Sequence, residues 1–172
     1  DSVYTARKEL ALTFNGMADK DTMEKLLNKL DEYEIKSTFF LPGVRVAEEP
    51  DIAREILSRG HEIENNTLNR IDLTKLSYEQ IYKEIKLCND VIKRETGVTY
   101  PYVRTKSGDY NEDVLLAAAH AGMEGVVTYN INPRDWDGKD AETIGNYVKR
   151  FMQRGAVIVL NTDMNPEVIK SI

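Results

Sequence analysis

Apolar residues recur in two alternating patterns along this chain. Short apolar runs at residues 10–14, 36–41, 61–64, 100–104, 125–129 and 156–160 are bounded by turn residues or by helical patterning, and each predicts a β-strand. Amphipathic stretches lie between them. Met23, Leu26, Leu27, Leu30 and Tyr33 fall on one face of a first helix, with Asp21 and Glu24 in a capping-box-like relation at its start. A second helix begins near Pro50, turns Ile52, Ala53, Ile56 and Leu57 inward and stops at Gly60. A third starts at Ser77 with Gln80 three residues on, buries Ile81, Ile85, Cys88 and Ile92, and ends at Gly97. A fourth runs from near Asn111 to Gly122. A fifth carries Ile144, Tyr147, Val148 and Phe151 and ends at Gly155.

Strict alternation of strand and helix predicts an α/β fold with parallel strands and helices outside. Periodicity alone leaves a barrel and an open doubly wound sheet equally admissible. No Gly-rich phosphate loop follows any strand, which lowers a nucleotide-binding reading. At 172 residues the chain suits a single domain, residues 1–172, with one sizeable core. Hydrophobic residues make up 41% and charged residues 30%, as expected of a globular protein. A net charge of -6 argues against nucleic acid and anionic membrane as partners. No apolar run approaches the roughly 18 residues of a membrane span. The single cysteine, Cys88, cannot form an internal disulfide. Asp1 is not an initiator Met, so the expectation is that something upstream has been removed.

Five segments in order carry a resemblance. They are Leu10-Ala11-Leu12-Thr13-Phe14, Gly60-His61-Glu62-Ile63, Arg104, Asn132-Pro133-Arg134-Asp135-Trp136, and Val157-Ile158-Val159-Leu160. This succession, over roughly residues 8 to 165, resembles the polysaccharide deacetylase family, the NodB-like family 4 carbohydrate esterases. The resemblance implies a distorted (β/α) barrel whose working residues sit at the C-terminal ends of the strands. It also implies a further helix and a last strand beyond Ile172, so the barrel is expected to be incomplete at the C-terminus, with a missing tail or a partner covering the gap.

What the family uses for chemistry is changed here. Its first motif, Thr-Phe-Asp-Asp, holds the general base and a metal ligand; this chain has Thr13-Phe14-Asn15-Gly16. Asn15 has no basic carboxylate and Gly16 no side chain. The second motif supplies two metal-binding His four residues apart, on one side of a helical turn; Asn66 and Arg70 stand there. A guanidinium repels a divalent cation. The third motif is matched by Arg104 and Gly108 but not by the intervening Thr105-Lys106-Ser107. In the family the Arg orients the base and a loop N–H, here that of Ser107, helps bind the oxyanion. Asp135 and Trp136 match the fourth motif, which contributes to the network around the catalytic acid and to the acetyl pocket. The acid itself, a His, is replaced by Asn161. The only histidines, His61 and His120, match no catalytic position, and both are expected to be structural.

The resemblance therefore implies a pseudoenzyme with no catalytic residue and no cofactor, its zinc site lost at Gly16, Asn66 and Arg70. Asn15, Asn66, Arg104, Ser107, Asp135, Trp136 and Asn161 form the candidate substrate-binding set, for N-acetylated glycans such as peptidoglycan or chitin oligomers. Two alternatives stand beside it. Glu64, Asp72, Asp109, Asp135 and Asp163 offer carboxylates near strand ends for a deacetylase with relocated catalytic residues. A non-catalytic structural or protein-interaction module is the other. The family setting implies an extracytoplasmic protein, secreted or anchored through a segment outside this chain. Oligomeric state is left open.

Overall fold

The computed structural model describes residues 9–172. Six strands and seven α-helices alternate along them: β1 (Ala11–Asn15), α1 (Lys20–Glu32), β2 (Thr38–Leu41), α2 (Gly43–Glu48), α3 (Pro50–Ser58), β3 (Glu62–Asn65), α4 (Tyr78–Thr96), β4 (Tyr102–Val103), α5 (Glu112–His120), β5 (Gly125–Val126), α6 (Ala141–Phe151), β6 (Val157–Asn161) and α7 (Glu167–Ser171). The sheet order is β5-β4-β3-β2-β1-β6, with β1–β6, β3–β4 and β4–β5 parallel. The α/β class follows from the sequence pattern as expected.

By contact the chain divides into two compact units. The first takes in residues 9–39, Arg59–Glu62 and Tyr129–Ile172; the second takes in Phe40–Ser58 and Ile63–Thr128. Within the first, β1 and β6 pair along their whole length, from Ala11 opposite Val157 to Asn15 opposite Asn161. Phe14 stacks on Phe39 at 4.9 Å between ring centroids, and Phe39 meets the His61 ring edge-on at 5.4 Å. The other side of β6 is bridged by Ile131 to Ile158, so this edge is not bare.

Within the second unit, Leu73, Ile81, Ile85, Val103, Val114, Ala117, Ala118 and Met123 form one buried cluster. α4 carries the expected capping box, Ser77 with Gln80, and closes at Gly97 in the left-handed conformation. Asn111 caps α5 as expected, its side chain accepting from the Val114 N–H.

Three local features differ from the sequence reading. The cap of α1 is Asp19, whose carboxylate accepts from the Thr22 N–H at 3.0 Å; Asp21 lies inside the first turn and pairs with Lys25. α2 is an additional helix, only six residues long and too short to show a period. Gly43 at its start is required by contact, since a Cβ there would lie 3.0 Å from Leu68 Cδ1 and 3.1 Å from Cys88 Cα. On α6 only Ile144 is buried, while Tyr147 and Phe151 are exposed.

Candidate functional site

In the first unit, parallel pairing at the ends of β1 and β6 sets Asn15 and Asn161 directly opposite each other. Asn15 and Asn161 are thus neighbours although 146 positions apart in sequence. Both are buried, at 2% and 4% exposure. The Asn15 carbonyl accepts from the Thr162 N–H at 3.0 Å. Gly16 follows at φ +81°, in the left-handed region where a side chain is strained.

Asn161 is held by Asp135. Its backbone N–H donates to one Asp135 carboxylate oxygen at 2.6 Å and its side-chain amide to the other at 2.8 Å. Asn165 adds a bond from its amide to the Asp135 carbonyl at 2.7 Å and another to the Lys139 carbonyl at 2.8 Å. Asp135 is fully buried, and burial pushes its carboxyl above the usual carboxylate range despite the two bonds from Asn161, which act in the opposite sense. The Asp135–Asp137 segment is a single 3-10 turn entered through Arg134 at φ +53°. That turn leaves Trp136 42% exposed beside the buried Asp135.

In the second unit, Asn66 and Arg70 lie on residues 66–70, which follow β3. The expected helical turn is absent. Thr67 has φ +67° and Arg70 φ +51°, so the segment is an irregular loop. A β-branched residue in this region is strained by about 1–3 kcal/mol and persists only where its surroundings hold it. Asn65 supplies part of that hold. Its Oδ1 accepts from the Thr67 N–H at 2.7 Å, and its Nδ2 donates to the Ile85 carbonyl at 2.9 Å and Asn89 Oδ1 at 2.7 Å. Thr67 Oγ1 in turn accepts from the Arg70 N–H at 3.0 Å.

Asn66 is fully buried. Its Nδ2 donates to the Arg104 carbonyl at 2.9 Å, whereas its Oδ1 is buried with no hydrogen-bond partner. An unmet acceptor of this kind costs about 1–3 kcal/mol. Arg104 is also fully buried. Its guanidinium lies over the Phe40 ring at 3.9 Å, with Nε donating to the Val127 carbonyl and Nη2 to that of Thr128. Ser107 lies on the exposed loop after β4, where its Oγ accepts from the Asp109 N–H at 3.4 Å.

Of the predicted contact residues, Trp136 and Ser107 present side-chain surface. Asn66, Arg104 and Asp135 present none, so their part is to brace the chain around them. Sequence reasoning also missed Asn65 and Glu84, which hold the 65–70 loop. The Asn-Asn-Thr run at its start was the one available signal, since Asn at such a position favours a local turn.

The donor chemistry at the family's ligand positions does not fit zinc. A zinc site takes thiolate, neutral imidazole or carboxylate ligands. Gly16 has no side chain, Asn66 offers only a neutral amide oxygen, its nitrogen being bonded to the Arg104 carbonyl, and Arg70 is a cation. Relocation gains no support from geometry: among the described residues no three His, Cys, Asp or Glu side chains gather. Glu64 accepts from the Tyr102 N–H at 2.8 Å. Asp72 caps a 3-10 turn, and the Thr74 hydroxyl, then Lys75 and the Thr74 N–H, pull its carboxyl down to about 2. His61 accepts the Ser37 N–H on Nδ1 at 3.2 Å, and His120 bonds the Tyr78 hydroxyl, so both have structural partners.

The polysaccharide deacetylase family model matches residues 2–126. A chitooligosaccharide deacetylase of Rhizobium leguminosarum bv. trifolii is 30% identical over 170 residues, covering 98% of this chain and 78% of that protein. A peptidoglycan-N-acetylglucosamine deacetylase of Bacillus cereus is 30% identical over 153 residues, covering 89% of this chain and 55% of that one. Among solved structures, a peptidoglycan N-acetylglucosamine deacetylase superposes with a TM-score of 0.92 at 27% identity, over 99% of this chain and 80% of its own. A CE4 family pseudoenzyme from Bacillus anthracis superposes at 0.90 over 98% of this chain and 59% of its own; at 21% identity that likeness speaks for the fold alone. With a family model over most of its length and these relatives along nearly all of it, the chain belongs to the polysaccharide deacetylase family.

Proposed function

We propose that this protein is a deacetylase-like pseudoenzyme that binds N-acetylated glycans without cleaving them. The observation that carries the reading is the Asn15–Asn161 pair at the ends of β1 and β6. Where proton transfer would need a carboxylate and an imidazole, both positions hold amides, which neither take nor give a proton near neutral pH. The Asp135 carboxylate has both oxygens engaged by Asn161. The ligand positions supply no donor set for zinc, which in such hydrolases provides the activated water.

Binding is a separate matter from cleavage. Trp136 offers an exposed aromatic face of the kind on which a sugar ring stacks, and Ser107 offers polar surface on the loop after β4. Relatives named for chitooligosaccharides and for peptidoglycan N-acetylglucosamine make N-acetylglucosamine oligomers the ligand to try first.

A second reading, an active deacetylase with relocated residues, draws on the deacetylase names of those 30% identical relatives. One experiment separates the two. The purified protein is assayed for metal content and for acetate release from N-acetylglucosamine oligomers. Stoichiometric zinc with turnover establishes the second reading and overturns the first. Titrating the same oligomers to millimolar concentration, with fluorescence of the single tryptophan as readout, tests binding. An unchanged Trp136 signal removes the glycan-binding claim and leaves a structural module.

A further inference from the structure

Glu84, which bonds the 65–70 loop, is a buried carboxylate outside the predicted site residues. It lies on α4, and both its oxygens face the 65–70 loop. Oε2 accepts from the Asn69 N–H at 2.9 Å and Oε1 from the Asn69 side-chain amide at 2.6 Å. The backbone carbonyl of the same residue accepts from the Leu68 N–H at 2.9 Å. One residue therefore fixes two successive loop residues through three bonds. From α2, the Gly43 and Val44 N–H groups bond the Thr67 and Leu68 carbonyls. All of these restraints act on the residues between positions 66 and 70.

We infer that Glu84 is a positioning residue: its carboxylate fixes the loop so that positions 66 and 70 are presented in a set geometry that needs no bound metal. The physical case rests on competition. Left-handed backbone at Thr67 and Arg70 and the unmet Asn66 acceptor all disfavour this loop shape. Charge-assisted hydrogen bonds from the Asn69 backbone and side chain to a buried carboxylate are among the strongest single restraints available to oppose them. A loop held this way keeps its shape whether its side chains are His or, as here, Asn and Arg. The inference does not depend on glycan binding and stands or falls on loop geometry.

The test converts that geometry into a metal affinity. In an N66H/R70H variant the loop carries two imidazoles, and zinc affinity is measured by calorimetry, with the cobalt(II) absorption spectrum reporting ligand geometry. Zinc binding is expected. Adding Glu84→Gln places an amide N–H₂ against one Asn69 donor, and affinity is expected to fall by about tenfold or more, as for loss of a residue that orients metal ligands. Glu84→Asp, which keeps the charge but shortens the reach, is expected to act in the same direction. Ile92→Val, a mild core change on the same helix, supplies the structural control and is expected to lower the melting temperature while leaving zinc affinity unchanged. The inference is overturned if N66H/R70H takes up no zinc. It is also overturned if the Glu84 variants bind as tightly as their parent, or if Ile92→Val weakens zinc as much as they do.

Discussion

The Asp135–Asn161 couple of the first unit and the 65–70 loop of the second solve opposite problems. In the couple, donors match acceptors: two Asn161 N–H groups meet two Asp135 carboxylate oxygens. In the loop, a fully buried Asn66 acceptor has no partner and left-handed backbone occurs at two non-glycine positions. The first region is a matched network. The second carries a strained shape that the Asn65 and Thr67 side chains and the neighbouring α4 and α2 hold in place. The two regions thus show two structural solutions, a matched network and a strained loop held by its surroundings.

Asp135→Ala should produce the largest change. It strands two buried Asn161 donors, and hydrogen bonds to a charged group contribute about 1.5–3 kcal/mol each. Part of that is offset, because burying the anion is itself unfavourable, as the raised carboxyl indicates. A net loss of about 2–4 kcal/mol in urea unfolding is expected. A loss below about 0.5 kcal/mol, the usual size of a neutral surface change, would mean the couple is not a structural unit.

Asn65→Ala tests the other region. It removes the bonds to Ile85, Asn89 and Thr67 but leaves those of Glu84 intact. A loss of about 1–3 kcal/mol is expected, at about 1 kcal/mol per net bond with partial relief from water. Hydrogen exchange should show faster opening at Thr67 and Leu68 than at Asn161. Uniform acceleration across the protein would dissolve the contrast between a locally held loop and a globally coupled pair.

His61 gives a pH-dependent comparison within the first unit. Its Nδ1 accepts the Ser37 N–H, so the ring is neutral with its proton on Nε2, which is buried without a partner. Burial lowers its pKa, with the positive charges of Lys36 and Arg59 adding to the effect and Asp31 opposing it. The folded state therefore binds a proton less readily than the unfolded chain. Stability from this group is present above the unfolded pKa of about 6.5 and is lost as pH falls toward the lower folded value. Asp135 has the opposite sign: its raised pKa makes its contribution greatest at low pH and smaller as pH rises through the folded value. Replacing His61 with Asn, which retains an acceptor, should flatten the decline in stability below about pH 6.5. An unchanged slope would assign that decline to other groups.

Much of this was legible in the sequence because it is local. The alternation of strands and helices, the Ser77–Gln80 capping box and the Asn111 cap are short-range patterns, and the structure has them. The cap of α1 was misplaced because Asp19 and Asp21 are both acidic and only backbone geometry at Asp19 separates them. Family membership could also be read, since the ordered motif segments are recognised by residue identity. The pairing of Asn15 with Asn161 rests on strand register, and the Glu84 hold on the 65–70 loop rests on packing of α4. Neither is encoded in any local window. The loop's left-handed residues defeated the helical-turn expectation for the same reason: Thr67 is a poor candidate for that backbone by propensity, and tertiary bonds override it.

Left-handed backbone also allows the finest test of the comparison. Arg134, which leads into the Asp135 turn, has φ +53°, is exposed, and donates its N–H to Asn132 Oδ1 at 2.9 Å. Arg70 has φ +51° within the braced loop. Asn tolerates this region better than Arg because its short polar side chain bonds locally. Arg134→Asn should therefore stabilise by about 0.5 kcal/mol, near the low end of the strain attached to such residues. If the second unit's loop is fixed by its surroundings, Arg70→Asn should relieve comparable backbone strain while leaving hydrogen exchange at Leu68 and Asn69 unchanged. Faster exchange there would mean that the Arg70 side chain, rather than α4, holds the loop.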